Sequence, residues 1–218
     1  MCRTQGRDLN LKTVAVSQRI DHYPDRNERR DALDQKLSAF LTECGFLPLP
    51  VPNVLTMETK GQGAESLNEL ENWLETFHPN AVLLSGGNDV GSCPDRDRTE
   101  KELIEFSAKK NLPLLGICRG MQMMATLAGS SLRKVNGHVR TRHVLQGVGI
   151  SGEANSYHDM SVDSCPIGYH VLARSGDGEI EAICHNDLPW DGWMWHPERE
   201  EHFVDRDIKR LRKLFCNQ

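Results

Sequence analysis

Leu112-Pro113-Leu114-Leu115-Gly116-Ile117-Cys118-Arg119-Gly120-Met121-Gln122 decides the fold. An apolar run of strand length enters a Gly-x-Cys-x-Gly turn and leaves as a helical segment, Arg119 to Ala128, stopped by Gly129. A strand running straight into a helix is half of a βα unit. The two glycines remove side chains where the backbone must bend sharply, so the central residue is pushed out above the sheet edge. There it meets the N-terminus of the helix, which favours negative charge and therefore a thiolate. The carboxyl ends of parallel strands are also where open α/β sheets place their sites. Taken alone, the turn fits a buried structural cysteine about as well as a nucleophile.

Upstream, the same alternation repeats. Thr13-Val14-Ala15-Val16-Ser17 is a β-rich run, followed by a turn region from Asp21 to Asn27. Leu33, Leu37, Phe40, Leu41 and Cys44 recur at i, i+4, i+7, i+8 and i+11, one face of a helix that Gly45 ends. Phe46 to Val51 is a second strand, residues 53 to 64 are loop-like, and Leu67, Leu70, Trp73, Leu74 and Phe77 mark a second helix. Ala81-Val82-Leu83-Leu84 is a continuous apolar strand, and a charged segment from Asp95 leads into a helix around Leu103, Ile104 and Ala108. Alternating strands and helices predict a parallel sheet covered on both faces. Beyond Gly129 the pattern changes to short strands at Ser131–Val135, Val144–Ile150, His170–Ala173, Glu179–His185 and Trp193–Trp195. Glu200 to Phe215 closes the chain as a helix, with Val204, Ile208, Leu211 and Phe215 on one face. The expected organisation is a frayed tail over 1–10 and one catalytic domain over 11–218, because no flexible linker divides the rest.

Two further segments give Cys118 possible partners in acyl transfer. Ser85-Gly86-Gly87-Asn88-Asp89 follows an apolar strand, and paired glycines leave backbone N–H groups free to approach a reacting group. A developing oxyanion needs two such donors, and Gly87 and Arg119 are the candidates. By itself this segment reads as a simple β-to-α turn. Trp195-His196-Pro197-Glu198 supplies a base and a carboxylate two residues apart, on one side of an extended backbone. By itself His-Pro-Glu reads as a surface turn. The three together favour Cys118 as nucleophile, His196 as base and Glu198 as its orienting partner.

In kind and in order these segments resemble the class I glutamine amidotransferase superfamily. The run "PLLGICRGMQMMATLAG" looks like its γ-glutamyl hydrolase branch, the γ-glutamyl-GABA hydrolases and their relatives. The resemblance runs from the first strand to His-Pro-Glu and is weakest at 53–66 and 159–175. It implies a flavodoxin-like α/β fold with a mostly parallel central sheet, helices on both faces and an additional small antiparallel sheet. It implies a catalytic triad of Cys118, His196 and Glu198 and oxyanion donors at Gly87 and Arg119. It also implies that Gln122 holds the glutamyl group and that Asn155, Ser156, Tyr157 and His158 contact its α-amino and α-carboxylate groups. By composition Asn155-Ser156-Tyr157-His158 is only a polar loop. No cofactor is implied.

The segments "VAVSQRID", "YPDRNERRDALDQKL", "GFLPLPVPN" and "LLSGGNDV" resemble the γ-glutamyl-CDP-amidate hydrolases, which act in phosphoramidate biosynthesis for surface polysaccharides. That resemblance implies a small-molecule γ-glutamyl partner carrying a cytidine nucleotide. Arg19, Arg29, Arg30, Arg140 and Arg142 could then meet a diphosphate, Arg19 standing out because it follows a strand that should end at the site. Taken singly, each of these arginines reads better as part of a solvated face. After Asn88-Asp89 the chain continues Val90-Gly91-Ser92, without the proline-containing continuation usual in γ-glutamyl-GABA hydrolases. γ-Glutamyl-GABA hydrolysis and a glutaminase subunit feeding ammonia to a separate synthetase stay open as alternatives.

With 218 residues, 38% hydrophobic and 26% charged, the chain can bury a real core. A net charge of −5 argues against a nucleic-acid partner, and no apolar run is long enough to span a membrane. The N-terminus lacks the apolar stretch of a signal peptide, so a cytoplasmic location is expected. Seven cysteines at irregular spacing suggest reduced thiols, with Cys44, Cys165, Cys184 and Cys216 as small structural hydrophobes. His138 and His143 lack the spacing of a metal pair and read as cleft contacts or surface histidines, so no metal is expected. Trp190, Trp193 and Trp195 read as core and rim of the triad strand. The sequence leaves room for a homodimer.

Overall fold

The computed structural model describes residues 12–56 and 69–216. The expected tail at 1–10, Leu67 and the loop segment 57–64 lie outside the described residues. One nine-stranded sheet organises the rest, in the order β4-β1-β5-β6-β13-β12-β11-β8-β9. Its first five strands are parallel: β4 (Phe46–Val51), β1 (Lys12–Ser17), β5 (Ala81–Leu84), β6 (Leu114–Ile117) and β13 (Trp190–Trp193). From β12 (Ile180–His185) through β11 (Tyr169–Arg174) and β8 (Val139–Gly147) to β9 (Gly152–Tyr157) the pairing is antiparallel. Thus the antiparallel half continues the main sheet, and two small ribbons stand beside it: β2 (Arg19–Tyr23) with β3 (Glu28–Ala32), and β7 (Leu132–Lys134) with β10 (Met160–Val162).

The central strands β5 and β6 carry no polar side chain because both faces are covered. Val14, Val16, Leu83, Leu115 and Ile117 pack with Leu37, Phe40 and Leu41 of α1 (Gln35–Glu43) and Leu211 and Phe215 of α5 (Asp205–Cys216). Their alternates, Ala15, Val82, Leu84 and Leu114, face the other way. There they meet Leu70 and Leu74 of α2 (Glu69–Phe77), Leu103 and Phe106 of α3 (Pro94–Lys110) and Met121 and Met124 of α4 (Arg119–Leu127). The tryptophans sit in the core as expected, with the Trp193 and Trp195 rings stacked at 5.2 Å and 6°.

The structure corrects several boundaries. The turn region from Asp21 to Asn27 is the tip of the β2–β3 ribbon, whose strands are too polar to announce themselves. Asn155-Ser156-Tyr157 lies in strand β9 rather than a loop. The triad strand is Trp190–Trp193, so Trp195 lies past its end, and the closing helix starts at Asp205 rather than Glu200. Cys44 is buried and Cys184 half-buried, whereas Cys165 and Cys216 are exposed; all are free thiols. Among the described residues, no helix is long and apolar enough to cross a membrane.

Candidate active site

The carboxyl ends of β1, β5, β6 and β13 lie side by side, and the segments that follow them carry the expected site residues. At the end of β6, Cys118 takes φ 50° and ψ −104°, which L-residues rarely adopt. Neighbours fix it there. Its N–H donates to the Trp193 carbonyl at 2.7 Å, and its carbonyl accepts from the Gln122 N–H at 3.0 Å. The flanking glycines are sterically required: a Cβ at Gly116 would lie 2.5 Å from the Met124 sulfur, and one at Gly120 would lie 2.3 Å from the Leu84 carbonyl oxygen. Cys118 as a whole is 8% exposed.

His196 comes from the segment after β13. Its Nδ1–H donates to Glu198 Oε1 at 2.6 Å, which leaves the other ring nitrogen free for the Cys118 thiol. Burial opposes the charged imidazole, but the Glu198 carboxylate and the neighbouring Cys118 outweigh it and raise the His196 pKa to about 9. Gly86 lies flat against this ring, since a Cβ there would meet His196 Cε1 at 2.5 Å. Tyr157 closes another side edge-on, with ring centroids 5.8 Å apart.

Sequence reasoning assigned Asn155 to a substrate contact. In the structure its side chain is spent on the protein. The amide donates to the His196 carbonyl at 2.7 Å and to Glu200 Oε1 at 2.8 Å, and its oxygen accepts the His196 N–H at 2.9 Å. Alternation along β9 separates the rest of the segment. Asn155 and Tyr157 face His196, while Ser156 donates to the His138 carbonyl at 2.6 Å and His158 joins a buried cluster with His138. Ser156 and His158 thus have other neighbours than Asn155 and Tyr157. Gln122 lies one turn along α4 and donates to the Met160 carbonyl at 2.9 Å.

The Gly87 backbone at φ +95° follows β5, the strand beside β6, and the Arg119 backbone opens α4 directly after Cys118. The Arg119 side chain points the other way, 2% exposed, into ion pairs with Asp97 and Glu100. Beside it Arg96, fully buried, donates to Glu100 at 3.0 Å, to the Ser85 carbonyl at 2.7 Å and to the Gly86 carbonyl at 3.0 Å. Burial lowers the pKa of Arg96 to about 10 and, with Arg96 beside it, that of Arg119 to about 9; both stay cationic at neutral pH. This scaffold under the glycine strand was not foreseen. Its signal was present: Arg96, Glu100, Leu103 and Ser107 recur at i, i+4, i+7 and i+11, the inward stripe of α3.

Arg19 is half exposed, pairs with Asp21 at 3.0 Å and lies over Gly87. It forms one wall of an open groove of about 700 Å³, shared with His22, Tyr23, Arg29, Asn88 and Ser92. Arg29 pairs with Asp95 at 2.7 Å and Arg30 with Glu28 at 2.7 Å. Arg142 is paired with Glu200 on the other side of the site, and Arg140 is exposed on β8. Of the five arginines considered for a diphosphate, only Arg19 and Arg29 line this groove.

The γ-glutamyl-CDP-amidate hydrolase of Campylobacter jejuni is 36% identical over 62% of this chain and 69% of its own length. The glutamine-hydrolyzing GMP synthase subunit of Methanothrix thermoacetophila is 34% identical over 53% of this chain and 68% of its own. Among solved structures, a GMP synthase subunit of Thermoplasma acidophilum superposes with a TM-score of 0.71 at 18% identity, covering 95% of each chain. The family model for "Glutamine amidotransferase class-I" matches residues 55–210, and the chain belongs to that family.

Proposed function

We propose that this protein hydrolyses a γ-glutamyl amide through a thioester on Cys118, with γ-glutamyl-CDP-amidate as substrate. The observation that carries the reading is the buried line Cys118–His196–Glu198 at the sheet edge. The Cys118 thiolate attacks the γ-carbonyl carbon, and the new oxyanion is met by the Gly87 and Arg119 N–H groups. His196 gives its proton to the leaving nitrogen as the C–N bond breaks. A water then loses a proton to His196 and attacks the thioester carbon, which frees glutamate and restores the thiol. Gln122 holds the glutamyl group and Tyr157 walls its pocket. The other product is cytidine diphosphoramidate, a building block for surface-polysaccharide phosphoramidates.

The choice of leaving group rests on the likeness to the Campylobacter relative and on the groove beside Gly87. Arg19 and Arg29 suit a diphosphate, because their planar forks bind phosphate oxygens two at a time. The similarity to GMP synthase subunits favours one rival, a glutaminase that supplies ammonia to a separate synthetase. Glutamate release from γ-glutamyl-CDP-amidate, γ-glutamyl-GABA and glutamine, with mass detection of the second product, separates the readings. Preference for γ-glutamyl-GABA overturns the nucleotide assignment. Weak glutamine turnover that rises strongly with a synthetase partner supports the rival.

A further inference from the structure

Outside the residues placed in the triad, His138, His158 and Glu181 meet in a buried cluster. His138 is 0% exposed, Glu181 1% and His158 3%. His138 Nδ1 lies 3.3 Å from His158 Nε2 and 3.3 Å from Glu181 Oε1, and His158 Nε2 lies 3.5 Å from that same oxygen. The outer ring nitrogens are already engaged. His138 Nε2 faces Asp177 Oδ2 at 2.9 Å, and His158 Nδ1 faces the Met160 carbonyl at 3.0 Å. Both partners only accept, so both protons sit on the outside of the cluster. The two inner nitrogens therefore present lone pairs to each other and to the carboxylate. Glu181 Oε1 is buried with no hydrogen-bond partner, and His143, its ring 4.0 Å from that of His138, has an unpartnered buried Nε2. Three converging lone-pair atoms repel unless a positive charge lies among them.

We propose that this triangle binds a divalent transition metal of the Zn²⁺ class. In a tetrahedral site, bonds of about 2.0–2.1 Å put ligand atoms about 3.3–3.4 Å apart. The observed edges of 3.3, 3.3 and 3.5 Å form one face of such a tetrahedron. Two imidazoles and one carboxylate suit zinc better than magnesium or calcium, which prefer all-oxygen shells. The Asp177 and Met160 contacts are the outer hydrogen bonds that orient ligating histidines. The expectation of a surface histidine at His138 is corrected by its full burial, and a spacing rule along the chain cannot see a ligand that follows β9 or one from β12. The metal has a positioning role. Its ligand His158 follows Tyr157 directly, and the Met160 carbonyl that orients His158 also accepts from Gln122. The site rests on these residues alone and stands independently of the substrate assignment.

The test uses the full chain without a histidine tag, purified in metal-controlled buffer. Mass spectrometry of the metal content should find about one Zn²⁺ per chain. After chelation, Co²⁺ titration should give the visible spectrum of a four-coordinate nitrogen–oxygen site, unchanged in Cys118→Ser. Asp177→Asn, at an exposed outer residue, should weaken Co²⁺ binding about 10–100-fold, and Glu181→Gln more. If Glu181→Gln does not fold, the wild-type and Cys118→Ser spectra still decide. Absence of both retained metal and a cobalt spectrum overturns the proposal, in which case a proton shared by His138 and His158 fills the triangle. A spectrum with thiolate bands that disappears in Cys118→Ser also overturns it, since the ion would then sit on the nucleophile.

Discussion

Cys118 holds a backbone conformation that costs about 1–3 kcal/mol and survives only because its neighbours over-determine it. Alanine has a Cβ as cysteine does, so Cys118→Ala should keep the fold and melting temperature while glutamate release falls by about 10⁴-fold or more. Retained turnover, measured by coupled glutamate detection, would refute the catalytic assignment. His196 gives a pH prediction with a definite sign. Its pKa is raised from 6.5 to about 9 by its partners against the effect of burial. The charged imidazole therefore adds stability that is complete below pH 6.5 and is lost as pH rises through about 9. In Glu198→Gln, denaturant unfolding should show a stability deficit that is largest at or below pH 6.5 and narrows toward pH 9. A deficit that widens with rising pH would contradict the assignment. At this scale the sequence was informative where side-chain identity itself carries chemistry, as at Cys118 and His196. It does not reveal that Asn155 grips the His196 backbone, because polar residues that grip backbone and polar residues that grip substrate look alike in one dimension.

At the scale of elements, the glycine strand after β5 and the start of α4 are held by one buried charge network. Arg96 and Arg119 share Glu100, and Arg96 also ties down the Ser85 and Gly86 carbonyls. Arg96→Met would leave Glu100 underpaired and those carbonyls bare. Removing one member of a buried pair typically costs about 3–5 kcal/mol, so urea unfolding should show a loss of that order. Gly120→Ala acts on the same junction. Its new Cβ would meet the Leu84 backbone at 2.3 Å, so a lowered melting temperature and impaired glutamate release should appear together. Wild-type values in both assays would mean the elbow tolerates more space than its geometry allows. Elements buried on both faces were legible, since continuous apolar runs such as Ala81–Leu84 admit few other readings. The β2–β3 ribbon and β9 were not, because their residues pair through backbone and show little apolar alternation.

Across the whole molecule, the parallel strands carry Cys118 after β6 and His196 after β13, while β9 of the antiparallel half holds the His196 backbone through Asn155. The β2–β3 ribbon is an appendage on the parallel half. Replacing residues 21–31 by a short glycine-serine turn leaves Ile20 and its bonds to Asn88 in place. On the proposed function, such a variant should still hydrolyse glutamine or γ-glutamyl-GABA at its original rate while losing its preference for the nucleotide substrate. Steady-state comparison of the three substrates checks this, and an unchanged preference would move leaving-group recognition elsewhere.

The paired indoles of Trp193 and Trp195 have an optical consequence. Two rings stacked at 5.2 Å couple their transitions, and Trp195 is bonded directly to His196 and sits under the Arg206 guanidinium. Any shift of the histidine on acylation would be transmitted to that pair. On the proposed function, the protein thus carries an intrinsic chromophore whose near-ultraviolet circular dichroism and emission should report formation and decay of the thioester in real time, without an added label.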